Sequence, residues 1–125
     1  MLLDTGPLAM VIIGSDRLTE IAREAILSAE RVMVSAISFY EIGQKVRIGK
    51  WPEMAAYAEK LDSLTAERGI EVLPLTSGQA LRASLLDWSH RDPFDRIIAA
   101  VALQERVAVV SQDAAFEAVG VERVW

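Results

Sequence analysis

The chain has 125 residues, 52% hydrophobic and 25% charged, which suits one soluble globular domain with a core that needs no staples. Cysteine is absent and histidine occurs once, so disulfides, thiolate zinc sites and a cysteine nucleophile are excluded, and any metal site must be built from oxygen. The net charge of −5 argues against a passive nucleic-acid binder but not against a nucleic-acid enzyme, because a bound cation inverts the local field.

Residues 1–3 read as a short strand ending at Asp4, and Pro7, after Thr5-Gly6, suits the first position of a helix that Gly14 stops. Ser15 or Asp16 caps a second helix to about residue 29, with Leu18, Ile21, Ala22, Ala25 and Ile26 at helical spacing. Residues 31–34 form the next strand. Ser35 then caps a helix with Phe39, Ile42 and Val46 on one stripe, ended by Gly49. Trp51-Pro52 opens an amphipathic helix over 52–68, with Gly69 as its stop. Residues 70–73 make the third strand, and Thr76 or Ser77 caps a helix reaching about residue 89. Asp92-Pro93 starts a helix carrying Ile97, Ile98, Val101 and Leu103; 107–110 is the fourth strand, 114–119 a short helix and 121–124 the fifth strand.

Short apolar strands alternating with helices predict a parallel sheet covered on both faces, as one domain over residues 1–125. The longest apolar runs, 8–13 and 97–103, fall short of the ~20 residues that span a bilayer. Asp4 stands too early for a secretory signal, which points to a cytoplasmic chain with no membrane partner.

Four acids stand at element boundaries or on helices that converge on one sheet edge: Asp4, Glu41, Asp95 and Asp113. In open α/β sheets the functional crevice lies beyond the carboxyl ends of the strands, where Asp4 and Asp113 are expected. Each acid also has a bland explanation. Asp4, Asp92 and Asp113 fit helix caps. Glu41 lies opposite the Phe39–Ile42–Val46 stripe, as a surface glutamate paired with Lys45 at i,i+4 would. Asp95 shares a helical face with Ile98, Ala99 and Ala102, and an inward carboxylate needs a partner or a metal. Thr5 and Ser111 offer hydroxyls to the strand-end acids. Lys45 and Arg96 are candidate phosphate contacts, whereas His90 reads as a helix-end cation. Phosphate-binding loops, nucleophile elbows and dinucleotide turns are absent. An oxygen-only Mg2+ or Mn2+ site suits phosphodiester hydrolysis.

Four blocks, Leu2-Leu3-Asp4-Thr5, Ser35 to Ile42 followed by Lys45 to Lys50, His90-Arg91-Asp92-Pro93-Phe94-Asp95-Arg96, and Val110-Ser111-Gln112-Asp113, occur in the order of the PIN-domain ribonucleases. Together they resemble the VapC toxins of bacterial toxin–antitoxin pairs, although Gly6-Pro7 replaces the His-Ala frequent in that branch. The resemblance implies an α/β/α sandwich with a five-stranded, mostly parallel sheet. It also implies a Mg2+- or Mn2+-dependent endoribonuclease, an RNA substrate, a cognate antitoxin and a homodimer. The family's acids map to Asp4, Glu41, Asp95 and Asp113, with Asp92 alongside. Two other readings are a magnesium-binding phosphoryl-transfer or receiver-like domain and a non-catalytic interaction module. The helical segments 36–49 and 52–68 are the expected partner surface.

Overall fold

A computed structural model describes residues 1–125. Its elements are β1 (Leu2–Leu3), α1 (Thr5–Ile13), α2 (Glu20–Ser28), β2 (Met33–Ser35), α3 (Ala36–Arg47), α4 (Leu61–Glu67), β3 (Glu71–Leu73), α5 (Ser77–Leu85), α6 (Pro93–Glu105), β4 (Val109–Val110) and β5 (Arg123–Val124). Three 3-10 turns, at Pro52–Met54, Ala58–Lys60 and Ala114–Val119, complete it.

The five strands form one sheet in the order β3-β2-β1-β4-β5, and every neighbouring pair is parallel. Receiver-like domains use the order 2-1-3-4-5, so this chain is not built on that plan. The chain starts in the middle of the sheet, winds to one edge through β2 and β3, then returns to β4 beside β1. Strand order therefore reverses between β1 and β4.

Register explains why the central strands β1, β2 and β4 are apolar. Leu2 pairs with both Met33 and Val109, and these three face a core shared with Ile98, Val101 and Phe116. Leu3 pairs with Val34 and Val110, and these face the opposite core with Leu8, Ile42, Met54 and Leu61. Successive side chains point to opposite faces, so each of the three central strands feeds both layers and stays apolar until it ends, whereas the edge strands β3 and β5 carry Glu71 and Arg123. The predicted three-layer α/β/α fold is the observed one. Phe116, fully buried beneath α6, is among the largest side chains in the second core. Truncation to alanine should cost about 3–5 kcal/mol, measurable as a lower urea midpoint with an unchanged m-value.

Helix boundaries depart from expectation in four places. The first helix begins at Thr5, two residues before Pro7, because Asp4 caps it with its own carboxylate. The second starts at Glu20, capped by the Thr19 hydroxyl, which accepts the Ala22 N–H; Leu18 is buried ahead of it in a turn. The stretch 52–68 is two 3-10 turns and a short helix rather than one continuous helix. Met54, Leu61 and Thr65 keep helical spacing and are buried, but tighter turns carry the backbone across α3 and α1, a tertiary override of local propensity. The helix expected to reach residue 89 ends at Leu85, for a reason that lies in Arg96.

Candidate active site

Because Leu3 is in register with Val110, the next residues, Asp4 and Ser111, are neighbours at the carboxyl edge of the sheet. The Asp4 N–H continues the ladder by donating to the Val110 carbonyl at 3.1 Å. Ser111 is fully buried, and its hydroxyl donates to Asp4 Oδ2 at 2.7 Å. The same Oγ accepts the Asp113 N–H at 3.0 Å, so one serine ties the acid after β1 to the acid after β4. Thr5 takes a different part from the one expected. Its backbone N–H holds Asp4 Oδ1 at 2.7 Å, whereas its hydroxyl donates to Ser38 Oγ at 2.9 Å and locks α1 to α3.

Glu41 is buried, with 6% of its surface exposed, and not the solvated glutamate its isolated sequence context suggests. Lys45, one turn on, donates to Oε1 at 2.6 Å while reaching to 5.4 Å above the Trp51 ring. Glu41 Oε2 is buried and has no hydrogen-bond partner. Asp95 sits in the first turn of α6, whose amino terminus favours a carboxylate. His90 Nε2 lies 2.6 Å from Asp95 Oδ2. One ligand atom each from His90, Asp95 and Asp113 fall within 4.8 Å of one another. Asp92 is exposed and caps α6 by accepting the Phe94 N–H at 2.8 Å.

The charges are mutually felt. Burial is the main cause that raises the Asp4 carboxyl to about 6, the Ser111 hydrogen bond opposes it, and the carboxylates of Asp95 and Glu41 add to it. Burial likewise raises Asp95; its contact with His90 opposes the rise, and the charges of Asp92 and Glu41 reinforce it. Three carboxylates thus crowd one another, with the Lys45 ammonium on Glu41 and the His90 ring on Asp95 as their side-chain contacts. Hard oxygen donors, one of them a buried orphan, fit a divalent cation.

Arg96 is not available to phosphate. Its Nε donates to the Ala83 carbonyl, Nη1 to those of Trp88 and His90, and Nη2 to those of Ser84 and Leu86, at 2.7–3.3 Å. All five guanidinium N–H donors are spent on backbone. That clamp turns residues 86–92 out of helix and explains the early end of α5.

His90 is the residue sequence reasoning set aside. The signal that would have found it is its place two residues before a capping Asp92, on the same turn that delivers Asp95. The largest surface cleft, bordered by Val11, Leu27, Arg31 and Arg68, contains none of the four acids.

A family model described as "PIN domain" matches residues 1–122. The chain belongs to the PIN domain family. A search of curated proteins returns no match. Among solved structures, this PIN domain is similar to Mycobacterium tuberculosis VapC20, a sarcin–ricin-loop-cleaving toxin, with a TM-score of 0.67 and 18% identity, covering 96% of this chain and 95% of that one. A toxin–antitoxin complex from Klebsiella pneumoniae aligns with a TM-score of 0.62 and 16% identity, over 95% of this chain and 92% of the other. VapBC2 from Rickettsia felis, bound to a promoter DNA fragment, aligns with a TM-score of 0.66 and 16% identity, over 99% and 98%. At these identities the likeness is one of fold, and it extends over nearly the whole of each chain.

Proposed function

We propose that this PIN domain is a Mg2+- or Mn2+-dependent endoribonuclease, the VapC-type toxin of a toxin–antitoxin pair, with Asp4, Glu41, Asp95 and Asp113 around the ion. One observation carries the reading: carboxylates are buried close to one another, with Asp4 raised to about 6 by burial and by the charges of Asp95 and Glu41, and with Glu41 Oε2 left without a partner. Such charge opposes folding unless something neutralises it.

Asp4, Asp95 and Asp113 are the direct oxygen donors in this reading. Ser111 sets the spacing of Asp4 and Asp113 through its two hydrogen bonds. Glu41 offers Oε2 to the ion or to the attacking water, its other oxygen being held by Lys45. The half-buried Lys45 ammonium is the phosphate contact nearest the acids, and Asp92 shapes the site by capping the helix that carries Asp95. A bound divalent ion would supply a nucleophilic water at neutral pH and offset charge on the phosphate.

RNA as substrate is supported by the activity named for the M. tuberculosis structure, and a cognate antitoxin by the two complexes. A second copy of the chain, a cytoplasmic location, and docking of the antitoxin on α3 and the segment 52–68 complete the proposal. Purified protein should cut RNA at discrete positions with Mn2+ or Mg2+, seen by end mapping, and EDTA should stop it. Absence of metal-dependent cleavage across ribosomal, transfer and messenger RNA would remove the assignment.

The same ion should act on the fold. At 100 times its Kd a ligand selective for the native state adds about 2.7 kcal/mol, or several degrees in Tm. A melting curve indifferent to Mn2+ would favour the non-catalytic module instead. Stable phosphorylation of Asp4 by a small phosphodonor would revive the phosphoryl-transfer reading, which the strand order already disfavours.

A further inference from the structure

Histidine 90 is placed with more care than a helix-end cation needs. Its ring stacks on Trp88 with centroids 4.6 Å apart and planes inclined by 29°. Trp88 in turn leans on the fully buried Phe116, centroids 5.8 Å apart. Arg96 Nη1 donates to the carbonyls of both Trp88 and His90, at 2.8 and 2.9 Å, which fixes the backbone on each side of Ser89. The imidazole is therefore anchored through the core and through a saturated guanidinium, and it is aimed at Asp95.

The ring nitrogen, an Asp95 oxygen and an Asp113 oxygen lie within 4.8 Å of one another. Atoms this close would reach a single divalent ion after small side-chain adjustments. Glu41 Oε2 is buried and unpartnered, and the Glu41 charge is felt at Asp95, a separate observation that points to a cation beside these carboxylates. An imidazole is a poor donor to Mg2+, which takes oxygen, and a good one to Mn2+ and later transition metals. The 2.6 Å contact between Nε2 and Asp95 Oδ2 holds a proton between the two atoms; an ion bound at Nε2 would release that proton to solvent and leave the neutral ring with its hydrogen on Nδ1.

We propose that His90 is a nitrogen ligand of the ion held by Asp95 and Asp113, making this a mixed nitrogen–oxygen centre that selects Mn2+ over Mg2+. The inference rests on the reading of the four acids as a divalent-metal site.

The test is electron spin echo spectroscopy of the Mn2+-loaded chain, joined to calorimetric titration with Mn2+ and with Mg2+. Wild-type protein should show 14N modulation from a directly bound imidazole, and His90→Gln should lose it. The Mn2+/Mg2+ affinity ratio should fall by about tenfold or more in His90→Gln. The substitution leaves the Arg96 contact intact, because that contact goes to the residue 90 carbonyl. The spectrum of the wild-type protein decides the matter even if the variant folds poorly. Tight Mn2+ binding with oxygen-only coupling, or an unchanged ratio, would overturn the role of His90 and leave the four-acid reading standing. No Mn2+ binding at all would overturn both.

Discussion

Asp4→Asn should abolish RNA cleavage and, in the same metal-free protein at neutral pH, raise stability. These opposite effects have one cause. In the folded chain the Asp4 carboxyl titrates at about 6 because burial and the neighbouring Asp95 and Glu41 charges disfavour its ionised form. Its unfolded value is near 3.9. Between those values the folded state holds more protons than the unfolded state, so stability rises as pH falls from 6 toward 4 and is lowest above 6. That difference corresponds to roughly 3 kcal/mol of destabilisation at pH 7.5 in the absence of metal. Asparagine resembles the protonated acid: its Oδ1 still caps the helix, and its amide N–H donates to Ser111 Oγ where the carboxylate accepted from it. Metal-free Asp4→Asn should therefore exceed wild type by on the order of 2–3 kcal/mol at pH 7.5 in urea with EDTA, and the gap should close by about pH 4. Activity should fall by more than ~100-fold, since even groups behind a metal ligand are commonly worth 10- to 100-fold. With saturating Mn2+ the stability order should shrink or invert, because wild type gains the ion and the variant largely does not. A less stable Asp4→Asn in EDTA would mean that the Asp4 charge is already compensated.

The same electrostatics shows where sequence reasoning succeeds and where it stops. Asp4 and Asp113 are legible because strand ends in a parallel sheet are fixed by where apolar residues stop, and the β1–β4 register follows from the core faces of Leu2, Leu3, Val109 and Val110. Asp95 is legible from the apolar face it shares with Ile98 and Ala99. Glu41 is not. Its burial depends on α3 packing against α6, a contact between residues about fifty positions apart, and the i,i+4 pairing with Lys45 occurs equally on an exposed helix. The break-up of 52–68 escapes for a related reason: the buried positions keep a helical period while the backbone turns more tightly. His90 and Arg96 exchange their expected parts. The arginine that reads as a phosphate contact is structural, and the histidine that reads as incidental faces the carboxylates.

Arg96→Ala should be among the most damaging single substitutions outside the two cores, and its damage should appear first in stability. The guanidinium joins α6 to five carbonyls of the segment from Ala83 to His90. Charge-assisted hydrogen bonds contribute about 1.5–3 kcal/mol each where both partners are buried, and less where water replaces the donor. Several of these acceptors are partly exposed, which sets the expected loss at about 3–5 kcal/mol rather than the full sum. Arg96→Lys should recover little, because one ammonium carries three donors and no planar fork to span carbonyls on both sides. The loop that bears Trp88 and His90 should then lose its fixed course, so Mn2+ affinity should fall in step with stability although residue 96 touches neither Asp95 nor Asp113 through its side chain. Urea unfolding and Mn2+ titration of the two variants check both parts. If Arg96→Ala kept its unfolding midpoint and Mn2+ affinity but bound RNA more weakly, the guanidinium would be a phosphate contact after all. The early end of α5 would then need another cause.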